Sequence, residues 1–137
     1  MLCLPAVCKL AYWVLHLSMH PVRAFKTNWF AKAARKRGIT DQELCSAIEE
    51  VIAGQADDLG GGVFKKRLNK NMDRSIVLAK GGRNWFFVFL FQKADRENIA
   101  DGELTTFKAL ATTYQHMREP VLSALLVSKE LVEICNQ

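Results

Sequence analysis

The run Trp85-Phe-Phe-Val-Phe-Leu-Phe-Gln-Lys93 constrains this chain more than any other stretch. It has the length and the aromatic, β-branched character of a strand, yet it is apolar at odd and even positions alike. Successive side chains of a strand point to opposite faces. A strand apolar on both faces predicts the central, most buried member of a sheet, with burial ending at Gln92 and Lys93 left at the rim. Two further strands precede it, Val63–Leu68 and Arg74–Lys80. A turn at Asn69–Asp73 joins these two, and a hairpin turn at Gly81–Asn84 leads into the apolar run. The stretch from Gly60 to Ile99 thus reads as a three-stranded antiparallel meander. Between Val63 and Lys93 it carries eight Lys or Arg side chains (Lys65, Lys66, Arg67, Lys70, Arg74, Lys80, Arg83, Lys93) and one acid, Asp73. Alternation puts Lys65 and Arg67 on one face of their strand and Phe64 and Leu68 on the other. A sheet this basic suggests a surface for phosphate.

Before the meander, Val22–Phe25 alternates as a short strand. Thr27 or Asn28 can cap the helix that follows. That helix, Asn28 to Arg37, gathers Trp29, Phe30, Ala33 and Ala34 on its core face, and Gly38 ends it. Thr40-Asp-Gln-Glu43 has capping-box spacing. Leu44, Ala47, Ile48, Val51 and Ile52 continue at helical period, closed by Gly54. From Asp41 to Asp58 there are six acids and no base, so an acidic helix lies next in sequence to the basic sheet. Gln55–Gly62 reads as a loop ending in three glycines. Without a following Gly-Lys-Ser/Thr it is not a P-loop, and it supplies turn geometry or a close backbone approach. After the meander, Asp101 is the expected cap of a third helix running to Tyr114. Pro120 breaks the pattern, and Val121–Ile134 reads as a last amphipathic helix.

These elements make an α+β fold with an N-terminal strand, two helices, the meander and C-terminal helices. At 137 residues and 50% hydrophobic composition the chain is one core-forming domain. The net charge of +5 favours nucleic acid, anionic membrane or an acidic protein as partner, although mild basicity is also common without a specific reason. The four cysteines make no CxxC pair and no zinc-ligand cluster, and no metal or organic cofactor is expected. Cys45 reads as a small core residue, and nothing in the cysteine spacing demands an oxidising compartment. Residues 1–18 are apolar but shorter than a membrane span, and they lack the basic start and cleavage site of a signal peptide. They read as an extension before a natural start at Met19, the alternative being a short helix packed on the domain or on a membrane surface. The expected organisation is therefore 1–18 extension, 19–117 core domain and 118–137 C-terminal amphipathic helix, in a cytoplasmic protein with no membrane partner.

Four blocks carry a resemblance: FKTNWFAKAARKRGI (Phe25–Ile39), DLGGGVFKKR (Asp58–Arg67), FVFLFQKADRENI (Phe87–Ile99) and DGELTTFKAL (Asp101–Leu110). In this order and combination the chain resembles RelE-type toxins of the RelE/ParE toxin–antitoxin superfamily, over about Val22 to Tyr114. The resemblance implies a small microbial-RNase-type fold, a cognate antitoxin protein as partner, and cleavage of messenger RNA on the ribosome. In that reaction a ribose 2′-hydroxyl attacks the adjacent phosphate, leaving a cyclic phosphate and a 5′-hydroxyl. It needs a base, cations for the phosphorane and an acid for the leaving oxygen.

Carried over by position, the implied catalytic residues are Lys65, Arg67, Arg74, Lys93 and Arg96. Lys65 would be the base, provided neighbouring cations disfavour its protonated form. Arg67 and Arg74 would clamp phosphate through their forked guanidinium groups. Lys93 or Arg96 would stabilise charge or act near the leaving group. Lys66, Lys70, Lys80 and Arg83 would contact RNA backbone as a basic rim. The stretch NKNMDRS departs from the family's glycine- and serine-rich pattern with its tyrosine, so the register of Arg74 is the open point. Tyr114 and His116 could approach the site from the third helix, or be surface helix residues. The alternative functions are a ParE-like toxin that acts on DNA gyrase without a nuclease site, and a non-catalytic RNA-binding module.

Overall fold

The computed structural model of the protein describes residues 22–135. The expectations for residues 1–18 and for a start at Met19 lie outside the described residues. In chain order the elements are β1 (Arg23–Thr27), α1 (Asn28–Lys36), α2 (Asp41–Ile52), β2 (Asp57–Gly60), β3 (Val63–Leu68), β4 (Asp73–Lys80), β5 (Asn84–Gln92), α3 (Asp101–Gln115), α4 (Glu119–Val127) and β6 (Leu131–Ile134). The α+β architecture read from the sequence is the one observed. The strands form a single mixed sheet in the order β2-β3-β4-β5-β1-β6.

Strand β5 lies inside the sheet, antiparallel to β4 and parallel to β1. Its two apolar faces serve two separate cores. Phe87 and Leu90 pack with Phe30, Leu44, Ile48 and Val51 of α1 and α2. Phe86, Val88 and Phe91 pack on the other face with Ile76, Leu78, Ala111 and Leu122, under α3 and α4. Phe25, Phe30, Phe86 and Phe87 are fully buried, at roughly 1.5–3 kcal/mol each. A solvent-facing β5 would forfeit half of that, so the apolar run dictates a helical layer on both sides.

Both early helices begin with a threonine cap, Thr27 being the one used of the two candidates Thr27 and Asn28. Only the threonine half of the Thr40–Glu43 capping box is formed, because the Glu43 carboxylate accepts from Asn69. Thr27 Oγ1 accepts from the Phe30 N–H at 3.0 Å, and Thr40 Oγ1 accepts from the Glu43 N–H at 3.2 Å. The triple glycine permits a close approach. Gly62 has φ +82°, and a Cβ there would stand 3.0 Å from Gln115 Nε2 and 3.3 Å from the Ala79 carbonyl oxygen. Helix α3 rests on this corner of the sheet.

Several expectations are corrected. The loop Gln55–Gly62 contains strand β2, paired with β3 through Asp57↔Lys65 and Asp58↔Phe64. The polar Asp-Asp-Leu-Gly has little strand propensity, and it is the free edge of β3 that orders it. The meander therefore has four strands. Val121–Ile134 does not form one amphipathic helix. Helix α4 ends at Val127, Lys129 takes φ +64°, and Leu131–Ile134 pairs antiparallel with β1. An unpaired β1 edge is satisfied by that strand and not by a helix. Asp101 is not the cap of α3. Ala100 holds that place, and its N–H donates to Glu103 Oε1 at 2.7 Å. Cys45 is not a free core thiol, because it is disulfide-bonded to Cys135 and so ties α2 to the end of β6. Trp29, expected in the core beside Phe30, is half exposed (51%).

Candidate active site

The β3–β4 pairing settles the register left open by the Asn69–Asp73 turn. Arg67 lies directly opposite Arg74, and Arg74 lies directly opposite Phe91. Directly opposed residues share a face with Cα atoms about 4.5–5.5 Å apart, so the two arginines leave neighbouring strands on one face at one end of the sheet. Two residues along β3, about 7 Å away, Lys65 projects from the same face opposite Ile76.

The turn that sets this register is held by polar contacts. Asn69, Lys70 and Asn71 all have positive φ, at 55°, 52° and 71°, a region that asparagine tolerates better than lysine. The fully buried Asp73 carboxylate accepts from Arg37 Nε at 3.1 Å and from Asn69 Nδ2 at 2.7 Å. Glu43 Oε2, on α2, accepts from the Asn69 N–H at 2.5 Å. Arg74 Nη1 donates to the Asn71 carbonyl at 2.9 Å and to the Asp73 carbonyl at 3.2 Å. Arg74 is thus 8% exposed and pinned by the turn. Its Nε and Nη2 have no hydrogen-bond partner among the described residues. Arg67 is exposed and makes no ion pair among them.

Lys65 Nζ lies 3.6 Å from Asp57 Oδ2 and donates to Asn98 Oδ1 at 3.3 Å. Its recorded polar partners are therefore an edge-strand carboxylate and a side chain of the loop after β5. Arg96, on that loop, makes a bidentate pair with Glu103 at 2.7 and 2.9 Å. Its guanidinium carbon lies 5.4 Å from the Phe89 ring centre and 5.1 Å from that of Phe91. Hydrogen bonding to Glu103 raises the Arg96 pKa further. The same bond, with that from the Ala100 N–H, holds the Glu103 carboxyl below its ordinary value. Lys93 is exposed just beyond β5, its N–H bonded to the Met72 carbonyl at 2.9 Å. It shares a shallow cleft with Lys70 of the turn.

The structure therefore brings Lys65, Arg67, Arg74 and Arg96 to one face, with Lys93 and Lys70 at its rim. It does not bring in Lys66, Lys80 or Arg83. Lys66 projects from the opposite face, 8% exposed, and pairs with Glu50 at 2.7 Å and the Gln55 carbonyl at 3.0 Å. Lys80 and Arg83 lie at the far end of the sheet, where Lys80 Nζ donates to the Met117 carbonyl. Tyr114 also lies toward that end. It packs on Phe86 at 4.5 Å, and burial, with a contribution from Glu130, pushes its phenol pKa up. His116 is an exposed helix-end residue bonded to the Thr112 carbonyl. Asp73, Asn69 and Arg37 were missed as supports of the site. The one sequence signal for them was a lone acid among eight cations, next to the strand arginine.

No helix among the described residues is long and apolar enough to cross a membrane. Among the same residues no group of three or more His, Cys, Asp or Glu could hold a metal ion. Comparison with curated proteins and with solved structures finds no match. Residues 22–134 match the family model described as the RelE toxin of the RelE / RelB toxin–antitoxin system. That span takes in every described strand and helix, including the C-terminal strand that completes the sheet. The chain belongs to the RelE toxin family of type II toxin–antitoxin systems.

Proposed function

We propose that this toxin is a ribosome-dependent messenger-RNA endonuclease that blocks translation. The observation that carries the reading is the Arg67–Arg74 pair, one guanidinium free and one locked, on the face that also presents Lys65. Two arginine forks from directly opposed positions suit the non-bridging oxygens of one phosphate, and fixed cations stabilise the charge that grows as the 2′-oxygen adds to phosphorus. Lys65 lies beside the Asp57 carboxylate and not beside the cation that the base role required, so it contributes a positive charge near the 2′-oxygen rather than a base. Arg96, held by Glu103, contributes charge rather than a proton. Lys93 extends the cationic rim toward the leaving group, and Lys70 beside it meets the next phosphate. Family membership implies a cognate RelB antitoxin as partner, and the basic face is the surface it would need to cover. A ribosomal substrate requires a cytoplasmic location.

Primer-extension mapping of transcripts after brief induction tests the reading. Discrete breaks within translated codons are expected from the native chain and not from Arg67→Ala or Arg74→Ala. Growth arrest by a folded variant lacking Lys65, Arg67, Arg74 and Lys93 would sink it. DNA-damage signalling with intact transcripts would point instead to gyrase.

A further inference from the structure

Trp29 is the large aromatic residue that the two cores do not absorb. It stands in the first turn of α1, half exposed, with its indole stacked on Phe89 at 5.2 Å and 18°. Phe89 is itself wedged against Phe91 at 6.1 Å and Phe107 at 5.6 Å. The indole is thus backed on one side by packed rings and accessible elsewhere. A cleft opens beside it, lined by Lys36, Arg37, Phe91, Asp95 and Arg96.

The cleft exists because the pairing of β1 with β5 stops at Lys26↔Phe87. Beyond Phe87 no strand among the described residues pairs with β5 on that side, and the chain continues from β1 into α1. The cleft adjoins the proposed phosphate site, since Phe91 on its wall is directly opposite Arg74.

We propose that Trp29 and this cleft form a nucleobase subsite, in which one unpaired base of an RNA strand stacks on the indole while neighbouring phosphates meet Lys36 and Arg96. The proposal rests on the endonuclease reading and adds to it a contact that selects for bases. An exposed, rigid π-face next to cations is the combination by which single strands are held. Asp95 at the mouth offers an acceptor to a base amino group. Arg37 is already engaged by Asp73 and shapes the wall.

The test uses the full chain and a single-stranded hexanucleotide carrying 2′-O-methyl groups, which cannot undergo 2′-attack. A matching sugar–phosphate strand without bases is the control. Trp29→Ala is expected to weaken hexanucleotide binding about 5- to 150-fold and to leave binding of the base-free strand unchanged. Trp29→Phe should retain most of the affinity. Equal binding by the native chain and Trp29→Ala, equal losses on both strands, or no binding of the hexanucleotide by the native chain would each overturn the subsite. If Trp29→Ala does not fold, the hexanucleotide should quench indole emission of the native chain, and the quenching should be lost in Trp29→Phe. Quenching that survives in Trp29→Phe would overturn the subsite as well. Cleavage of ribosome-bound message is scored separately. Trp29-dependent binding without cleavage removes the enzyme and keeps the subsite, and cleavage with Trp29-independent binding does the reverse.

Discussion

Arg74 shows how much of the proposed site depends on side chains that support it from behind. Its Nη1 is committed to two carbonyls of the preceding turn, so in the proposed reaction the guanidinium would lose little rotamer freedom on meeting phosphate. Arg67, opposite it, is exposed and makes no ion pair among the described residues. Replacing either with Ala is expected to lower the single-turnover cleavage rate by about 10²–10³-fold, the usual loss for one fixed donor at a charged transition state. Arg74→Lys should not restore it, because an ammonium lacks the second fork of donors. Asp73 acts one step further back. Asp73→Ala leaves Arg37 and Asn69 without their shared acceptor and loosens a turn with three left-handed residues. A loss of about 2–4 kcal/mol is expected by urea unfolding, with cleavage falling as well because the register of Arg74 relaxes. Asp73→Asn, which keeps the shape, should lose less.

Elements here are ordered by the edges of their neighbours as much as by their own propensities. Strand β6 is short and follows a left-handed Lys129, yet it completes the sheet against β1. Arg23 of β1 reaches Glu133 of β6 with Nε and Nη2 both at 2.8 Å. That hydrogen bonding holds the Glu133 carboxyl below its ordinary value and raises the Arg23 pKa. The folded state thus favours the ionised carboxylate more than the unfolded state does. Its contribution is fully present above the unfolded carboxyl value of about 4.3 and is lost as pH falls through the lower folded value. Glu133→Gln should therefore lower the melting temperature at pH 7, by the equivalent of about 1 kcal/mol. The difference should close at the acid end of a thermal-melt series, and a gap that persists there would assign the effect to packing instead.

At the scale of the molecule, one sheet carries two cores and gathers Lys65, Arg67 and Arg74 toward one end. The helices over the two faces are continuous in sequence with opposite ends of the chain, so cohesion depends on the strands that connect them. The Cys45–Cys135 bond closes a loop with a sequence separation of 90. In the chain-entropy view a loop of this length stabilises by about 4–5 kcal/mol, and observed values run lower. A reductant is expected to lower the urea midpoint of the native chain, by an amount that vanishes in Cys45→Ser. In a reducing cytoplasm the same two sulfurs would sit as packed thiols against the first core, so activity should survive reduction while stability falls.

Read alone, the sequence determined the strands β3, β4 and β5 to within a residue, the helices α1 and α2 with the Thr40 cap, and the burial of β5. These follow from local rules: side-chain period, glycine at positive φ, and hydroxyl oxygens beside free N–H groups. It also carried the family and the shared face of Lys65 and Arg67. It did not determine β2 or β6, because Asp57–Gly60 and Leu131–Ile134 are strands only where a neighbouring edge presents unpaired backbone. Nor did it separate Lys66, bound to Glu50 on the opposite face, from the cations that share a site. The Arg67↔Arg74 register, the bond between Cys45 and Cys135, and the exposure of Trp29 were decided by the tertiary structure alone. Each depends on which distant segment arrives next to it, and no local periodicity encodes that.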